Sequence, residues 1–200
     1  MDNVAASALG GFNIISRTPV EEQQITTYRP PVDLGVALVV PDIEKASTEA
    51  TRQALPEAVS RVQYVNAMGY VSKISAAFAA HDIKGIIEAL PWDPTFEPAR
   101  ADAGCYGKGV DAQFLREEKE TLLKEFHVAE TISGAGPSRA LWYSLSEDRR
   151  FRRKKQTGPI DTAVQVVSTG LRSLGHDIRE VFVTRPSIDG ATIISRKSRQ

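Results

Sequence analysis

Apolar positions change rhythm several times along this chain, and each rhythm predicts an element. Residues 11–16 and 24–28 are short, rich in β-formers and separated by a Pro-containing turn, which predicts a hairpin. Residues 34–40 form an unbroken apolar run closed by Pro41, the pattern of a strand buried on both faces. From 56 to 80, Val62, Val65, Met68, Val71, Ile74 and Phe78 recur at spacings of three and four, predicting a long helix with Pro56 in its first turn. A shorter helix runs through Ile83, Ile86, Ile87 and Leu90 to Pro91. The segment 91–109 holds three prolines and three glycines and reads as a loop. Asp111 then caps a charged helix to about Phe126. Residues 128–132 and 140–145 predict two strands around a glycine-containing loop. Ile160, Val164, Val167, Leu171 and Leu174 mark a helix between Pro159 and Gly175. Residues 178–184 and 191–195 read as the last strands. This order predicts an α+β sandwich, with helices on one face of a mainly antiparallel sheet.

Composition narrows the function classes. The 25 basic and 25 acidic side chains cancel to a formal charge of +0, so no global field favours nucleic acid or an anionic membrane. Cys105 is the sole cysteine, which excludes an intrachain disulfide and any multi-Cys metal site. His81, His127 and His176 are scattered, so no metal site is expected. No apolar run approaches the roughly 20 residues that span a bilayer. The chain starts with neither the basic nor the apolar stretch of a secretory signal. A cytoplasmic protein without membrane or nucleic-acid partners is the expectation.

Three motifs carry candidate chemistry. Ser133-Gly134-Ala135-Gly136-Pro137-Ser138 lies between two predicted strands. Its alternate glycines permit positive φ and let backbone N–H groups approach phosphate oxygens, although a tight turn explains the same spacing. The second motif is Asp2-Asn3-Val4-Ala5, followed by Gly10-Gly11, and the third comprises Thr48-Glu49-Ala50-Thr51-Arg52-Gln53-Ala54-Leu55-Pro56 and Glu97-Pro98-Ala99-Arg100. Together they resemble the GHMP superfamily of kinases, most closely homoserine kinase. The matching family patterns are His-x-Asp-Asn-Val-Ala-Pro-x-x-x-Gly-Gly, Thr-x-x-Ala-Arg-x-x-Leu-Pro, Glu-Pro-Tyr-Arg and Ser-Gly-x-Gly-Pro-Ser/Thr. Ala99 replaces the family's tyrosine, and the following Leu-Ile-Pro-Gly gives way to Ala103-Gly104-Cys105-Tyr106-Gly107-Lys108-Gly109.

The resemblance implies a ferredoxin-like α/β sandwich over residues 33–200, the superfamily's C-terminal domain, with residues 1–32 as remnant strands of its N-terminal domain. It implies ATP- and Mg²⁺-dependent phosphorylation of the homoserine hydroxyl, a step of threonine biosynthesis. Asn3, Arg52 and Arg100 are implied as substrate ligands, and two guanidinium groups converging on a carboxylate suit bidentate recognition. Ser133, Gly134, Ala135, Gly136 and Ser138 are implied as the phosphate-side loop, and no catalytic residue is assigned. The 200 residues contain no match to Pro-x-x-x-Gly-Leu-Gly-Ser-Ser-Ala, the superfamily's main nucleotide loop. The chain is therefore expected to be a truncated or split kinase, inactive alone, with a missing N-terminal half or a second copy as partner. The alternatives are a non-catalytic binding domain derived from such a kinase and the C-terminal part of another GHMP small-molecule kinase. The segment 104–109 reads as a flexible linker, since Lys108 lacks P-loop spacing. The basic run 149–155, flanked by Glu147 and Asp148, reads as a solvated loop.

Overall fold

The structure, a computed structural model, describes residues 2–17, 19–20, 24–154 and 156–191, the side chains of Asp2 and Asn3 excepted. Strand β3 (Leu34–Pro41) is the centre of the architecture, and its eight residues are almost wholly buried. It pairs antiparallel with β5 (Arg139–Ser144) on one side and β6 (Ile178–Thr184) on the other, while β4 (Ala129–Ile132) adds to β5. The sheet order β4-β5-β3-β6, with helices crossing between β3 and β4 and between β5 and β6, is the ferredoxin-like split βαβ arrangement. The chain adopts the expected α+β fold with an antiparallel sheet, but helices pack on both of its faces and not on one.

Two helices cover one face. In α6 (Ala112–Phe126), Asp111 accepts from Phe114 N at 2.8 Å and holds the first turn. In α8 (Pro159–Ser173), Pro159 opens the helix and Asp161 accepts from Gly158 N. Leu115 and Leu122 of α6 and Ile160, Val167 and Leu171 of α8 close over Ala37, Val39, Leu141 and Tyr143 of the sheet. This core also holds charges. Glu130 of β4 and Arg139 of β5 are both fully buried, with Arg139 Nη1 3.3 Å from Glu130 Oε1. Glu118 of α6 lies beside them. Burial, and then the Glu130 charge, push its carboxyl up to about 9.

The opposite face carries a smaller cluster. There Leu34 meets Ala77, Phe78 and Ile86 from α3 (Arg61–Ala79) and α4 (Ile83–Ala89). Phe12 stacks on Phe78 with ring centroids 4.1 Å apart. Phe12 belongs to β1 (Phe12–Ser16), which pairs with β2 (Gln24–Tyr28) as a separate two-stranded hairpin.

Several expectations require correction. Helix α3 begins at Arg61, not Pro56, because Ser60 and Gln63 form a capping box there. Its stripe is also not a buried one: Val62, Val65, Met68 and Val71 are at least half exposed, and burial begins only at Ala77. The segment 91–109 is not all loop, since α5 (Phe96–Asp102) lies within it. Nor is 104–109 a flexible linker, because Cys105 and Tyr106 are buried in the main core. Residues 149–153 of the basic run lie in α7 (Leu145–Arg153), with Lys154 at its C-cap and Lys155 outside the described residues; Arg149 meets Asp33, and Arg152 meets Asp148 and Asp161. Helices α1 (Asp2–Leu9) and α2 (Thr48–Gln53) carried no apolar stripe to announce them. Ala191 is not in a strand, and residues 192–195 of the expected last strand lie outside the described residues. Among the described residues no helix is long and apolar enough to cross a membrane.

Candidate functional site

The glycine loop is a tight turn in the connection from β4 to β5. Ser133 N donates to Ser138 O at 2.8 Å, and Gly136 N donates to Ser133 O at 3.1 Å. Gly134 has φ +61° and Ala135 a negative φ, the sign pattern of a type II′ turn, which favours glycine at its first central position. Gly136 has φ +86°, and a Cβ there would stand 2.5 Å from Tyr106 Cδ1. Glycine at 136 is therefore required twice, by backbone conformation and by the aromatic ring beneath it.

Helix α5 positions Arg100. The Asp93 carboxylate accepts from Thr95 N, Phe96 N and Glu97 N at 2.8, 2.9 and 3.0 Å, satisfying amides that the first turn would otherwise leave free. One turn later, the half-buried Arg100 donates from Nε to Thr51 O at 3.2 Å. Its guanidinium thus lies against the peptide group that joins Thr51 to Arg52, at the end of α2. Arg52 itself is exposed.

Tyr106 connects these parts. It is fully buried, with its ring under Gly136 and its phenol beside Arg100, Glu97 and Asp93. Burial, reinforced by the Glu97 charge and opposed by Arg100, pushes the phenol up to about 12. The hydroxyl meets hydrogen-bond geometry with none of the described residues. Glu97 reaches the loop from the other side: its Oε1 accepts from Ile132 N at 2.9 Å, and its Oε2 is paired with Lys119 Nζ. The structure therefore brings Arg100 against the Thr51–Arg52 peptide and, through Tyr106, beside Gly136 of the loop; the exposed Arg52 side chain and Ser133, Gly134, Ala135 and Ser138 are joined to this group only through the backbone. Asn3 lies in α1, and its side chain lies outside the described residues. A cleft of about 1000 Å³ is lined by Glu97 and Lys119 together with Tyr70, Trp92 and Arg116. Arg52, Arg100 and the glycine loop do not line it.

Sequence reasoning passed over Glu97, Tyr106 and Lys119. Glu97 stands in the Glu-Pro-Ala-Arg stretch that drew attention to Arg100, so its signal was present. Lys119 is hidden in an acidic and basic run that looks solvated. Tyr106 lies where the sequence departs from the family pattern.

No family model matches the chain. It is 36% identical over 140 residues to the homoserine kinase of Pyrobaculum islandicum, covering 68% of this chain and 42% of that protein. It is 32% identical over 177 residues to the homoserine kinase of Pyrobaculum neutrophilum, covering 86% of this chain and 52% of that protein. The homoserine kinase structure from Cytophaga hutchinsonii superposes with a TM-score of 0.67 at 22% identity, covering 94% of this chain and 52% of that one. Mevalonate diphosphate decarboxylase from Staphylococcus aureus superposes with a TM-score of 0.58 at 14% identity, covering 96% and 56%. The chain thus spans about half the length of the relatives it matches. Fold and sequence together place it in the GHMP kinase superfamily. Within that superfamily its sequence similarity is to homoserine kinases.

Proposed function

We propose that this chain forms the substrate-carboxylate and phosphate-side part of a homoserine kinase, in which ATP phosphorylates the homoserine hydroxyl in the cytoplasm as a step toward threonine. Residues 33–200 are its C-terminal domain in this reading, and residues 1–32 belong to the N-terminal domain. The observation that carries it is the seating of Arg100 on the Thr51–Arg52 peptide, with Tyr106 linking Arg100 to the glycine loop. With Nε engaged by Thr51 O, the terminal nitrogens of Arg100, which lie beside the Tyr106 phenol, are the part of the guanidinium that would take a carboxylate, and Arg52 adds a second cation. Asn3 offers an amide to the same amino acid.

The 133–138 loop suits a phosphate group. Among the described residues, Gly134 N and Ala135 N are not engaged by backbone carbonyls, and the positive φ at Gly134 turns the backbone outward without a Cβ in the way. ATP supplies the transferred phosphoryl group. The homoserine oxygen bonds to the γ-phosphorus as the bond to ADP breaks and the hydroxyl proton passes to solvent, a step that depends on positioning and charge stabilisation. Mg²⁺ is ordinarily held by one or two carboxylates together with substrate phosphates, and it is assigned no residue here.

A second reading, binding without turnover, is favoured for the 200-residue polypeptide alone by the absence of the Pro-x-x-x-Gly-Leu-Gly-Ser-Ser-Ala motif from its sequence. Calorimetry with homoserine, followed by ADP release in the presence of ATP and Mg²⁺, tests both. Homoserine should bind, and Arg52→Ala or Arg100→Ala should weaken it about 10- to 100-fold, the worth of one charge-assisted contact. ADP release should be negligible until an N-terminal half of a homoserine kinase is added. Homoserine affinity untouched by both arginine variants would refute the site.

A further inference from the structure

Glu97 ties the helix that carries Arg100 to the strand that leads into the glycine loop. It precedes Arg100 by one turn of α5. Its Oε1 takes the N–H of Ile132, the last residue of β4 before Ser133. Among the described residues strand β4 pairs with β5 alone, so this amide lies on the outer edge of the described sheet, where a backbone donor otherwise faces solvent. Its Oε2 is held by Lys119 Nζ of α6, and the same ammonium donates to Pro91 O at 2.9 Å. The Lys119 and Glu97 side chains retain only 6% and 15% exposure. Water screens an exposed pair into insignificance, whereas a withdrawn pair keeps its geometry because breaking it strands a charge. Tyr106 makes the second attachment, touching Gly136 while lying beside Arg100. The loop region is thus met at Ile132 by Glu97 of the arginine helix and at Gly136 by Tyr106, four residues beyond that helix.

We propose that Glu97, anchored by Lys119, is a positioning residue that fixes the register between Arg100 and the 133–138 loop, so that a carboxylate at the arginines and a phosphate at the loop reinforce each other's binding. The proposal rests on the reading that Arg52 and Arg100 take an amino-acid carboxylate. Reinforcement of this kind is reciprocal: whatever factor homoserine adds to phosphate affinity, phosphate adds to homoserine affinity. Glu97 touches neither ligand, and its effect is exerted through the Ile132 amide.

Two double variants separate this role from a general contribution to stability. Both Glu97→Gln/Lys119→Met and Glu97→Ala/Lys119→Met remove the charged pair without stranding either charge. Only the first keeps a side-chain oxygen for Ile132 N. In the 200-residue chain labelled with ¹⁵N, inorganic phosphate and homoserine are titrated separately and together, and the loop amides are followed. In the parent and in the Gln/Met variant, homoserine should tighten phosphate binding by about fivefold or more, the lower end of ordinary coupling. In the Ala/Met variant phosphate should bind several-fold more weakly and the coupling factor should fall to about one, with homoserine alone within about twofold of the parent. Equal coupling and equal phosphate affinity in the two variants would overturn the proposal. If homoserine fails to bind the parent, the substrate reading falls, and the positioning role is judged on phosphate alone. Weaker phosphate binding in Ala/Met than in Gln/Met then sustains it, and equal affinity, or no phosphate binding by the parent, overturns it.

Discussion

Replacing Gly136 with alanine probes the packing under the glycine loop. The new Cβ would stand 2.5 Å from Tyr106 Cδ1 and 3.3 Å from Ile132 Cγ2. The fully buried ring has no solvent to retreat into. Holding alanine at φ +86° costs about 1–2 kcal/mol, because its Cβ crowds the carbonyl. Overpacking a filled core adds about 1–3 kcal/mol. Reduced freedom of the unfolded chain returns about 0.4–1 kcal/mol. The net loss is roughly 1.5–4 kcal/mol, or about 3–16 °C in Tm for a chain of this size. Gly134→Ala is the control. Gly134 shares the positive φ but has nothing within 4 Å of the added methyl, so about 1 kcal/mol is expected. Urea denaturation at constant m measures both. In a Tyr106→Leu background, Gly136→Ala should cost at least about 1 kcal/mol less than in the parent, since the ring it strikes is gone. Equal losses for the two glycine variants, or simple additivity with Tyr106→Leu, would refute this account of the loop.

The buried charges give two further tests. Glu118 is protonated in the folded chain over a range where the unfolded chain, with its ordinary value of 4.5, is ionised. The folded state binds the extra proton between those values. The stability it carries is therefore complete below pH 4.5 and lost as pH rises toward 9. Glu118→Gln cannot ionise, so its unfolding free energy from urea melts should gain on the parent's between about pH 5 and 8, by about 1–3 kcal/mol. Parallel pH profiles would rule this out. Arg139→Met strands the fully buried Glu130 carboxylate and should cost about 3–5 kcal/mol, whereas Glu130→Leu/Arg139→Met should recover most of the loss. A double variant as unstable as the single one would show that the ion pair is not what the core depends on.

Elements with a clean apolar rhythm were legible in the sequence. The run 34–40 announced the central strand, and Pro159 and Gly175 marked the limits of the α8 region. What misled were residues whose partners are distant in sequence. Helix α5 is held by the Asp93 carboxylate and by packing of the Cys105 and Tyr106 turn, so its one proline, Pro98, with the prolines before it and the glycines after it, reads as a loop. The buried stripe of α6 is Leu115, Glu118, Lys119 and Leu122, and two charges in it disguise a core face as a solvated one. In α3 the reverse occurred: a helical apolar spacing does not say what covers it, and most of that stripe is exposed. The candidate site was legible as separate motifs, Arg52, Arg100 and the glycine loop. Their linkage through Thr51 O, Tyr106 and Glu97 depends on contacts between elements, which no local spacing encodes.

The position of β3 in the middle of the sheet has a consequence for synthesis. Val39 pairs with Arg139 and Val40 with Glu180, partners that leave the ribosome about 100 and about 140 residues later. At about 5–20 residues per second, the apolar run Leu34-Gly35-Val36-Ala37-Leu38-Val39-Val40 waits roughly 7–28 s for its second neighbour. An uncharged segment of this length and β-propensity is a template for intermolecular pairing while it waits. Asp33 in front of it and Pro41-Asp42 behind it flank the run with a charge on each side and a residue that cannot donate to a ladder. Asp33 later accepts hydrogen bonds from Ser144 Oγ and Ser146 N, each at 3.0 Å, at the end of β5. The same carboxylate is thus a gatekeeper for the nascent chain and a clasp for the finished sheet.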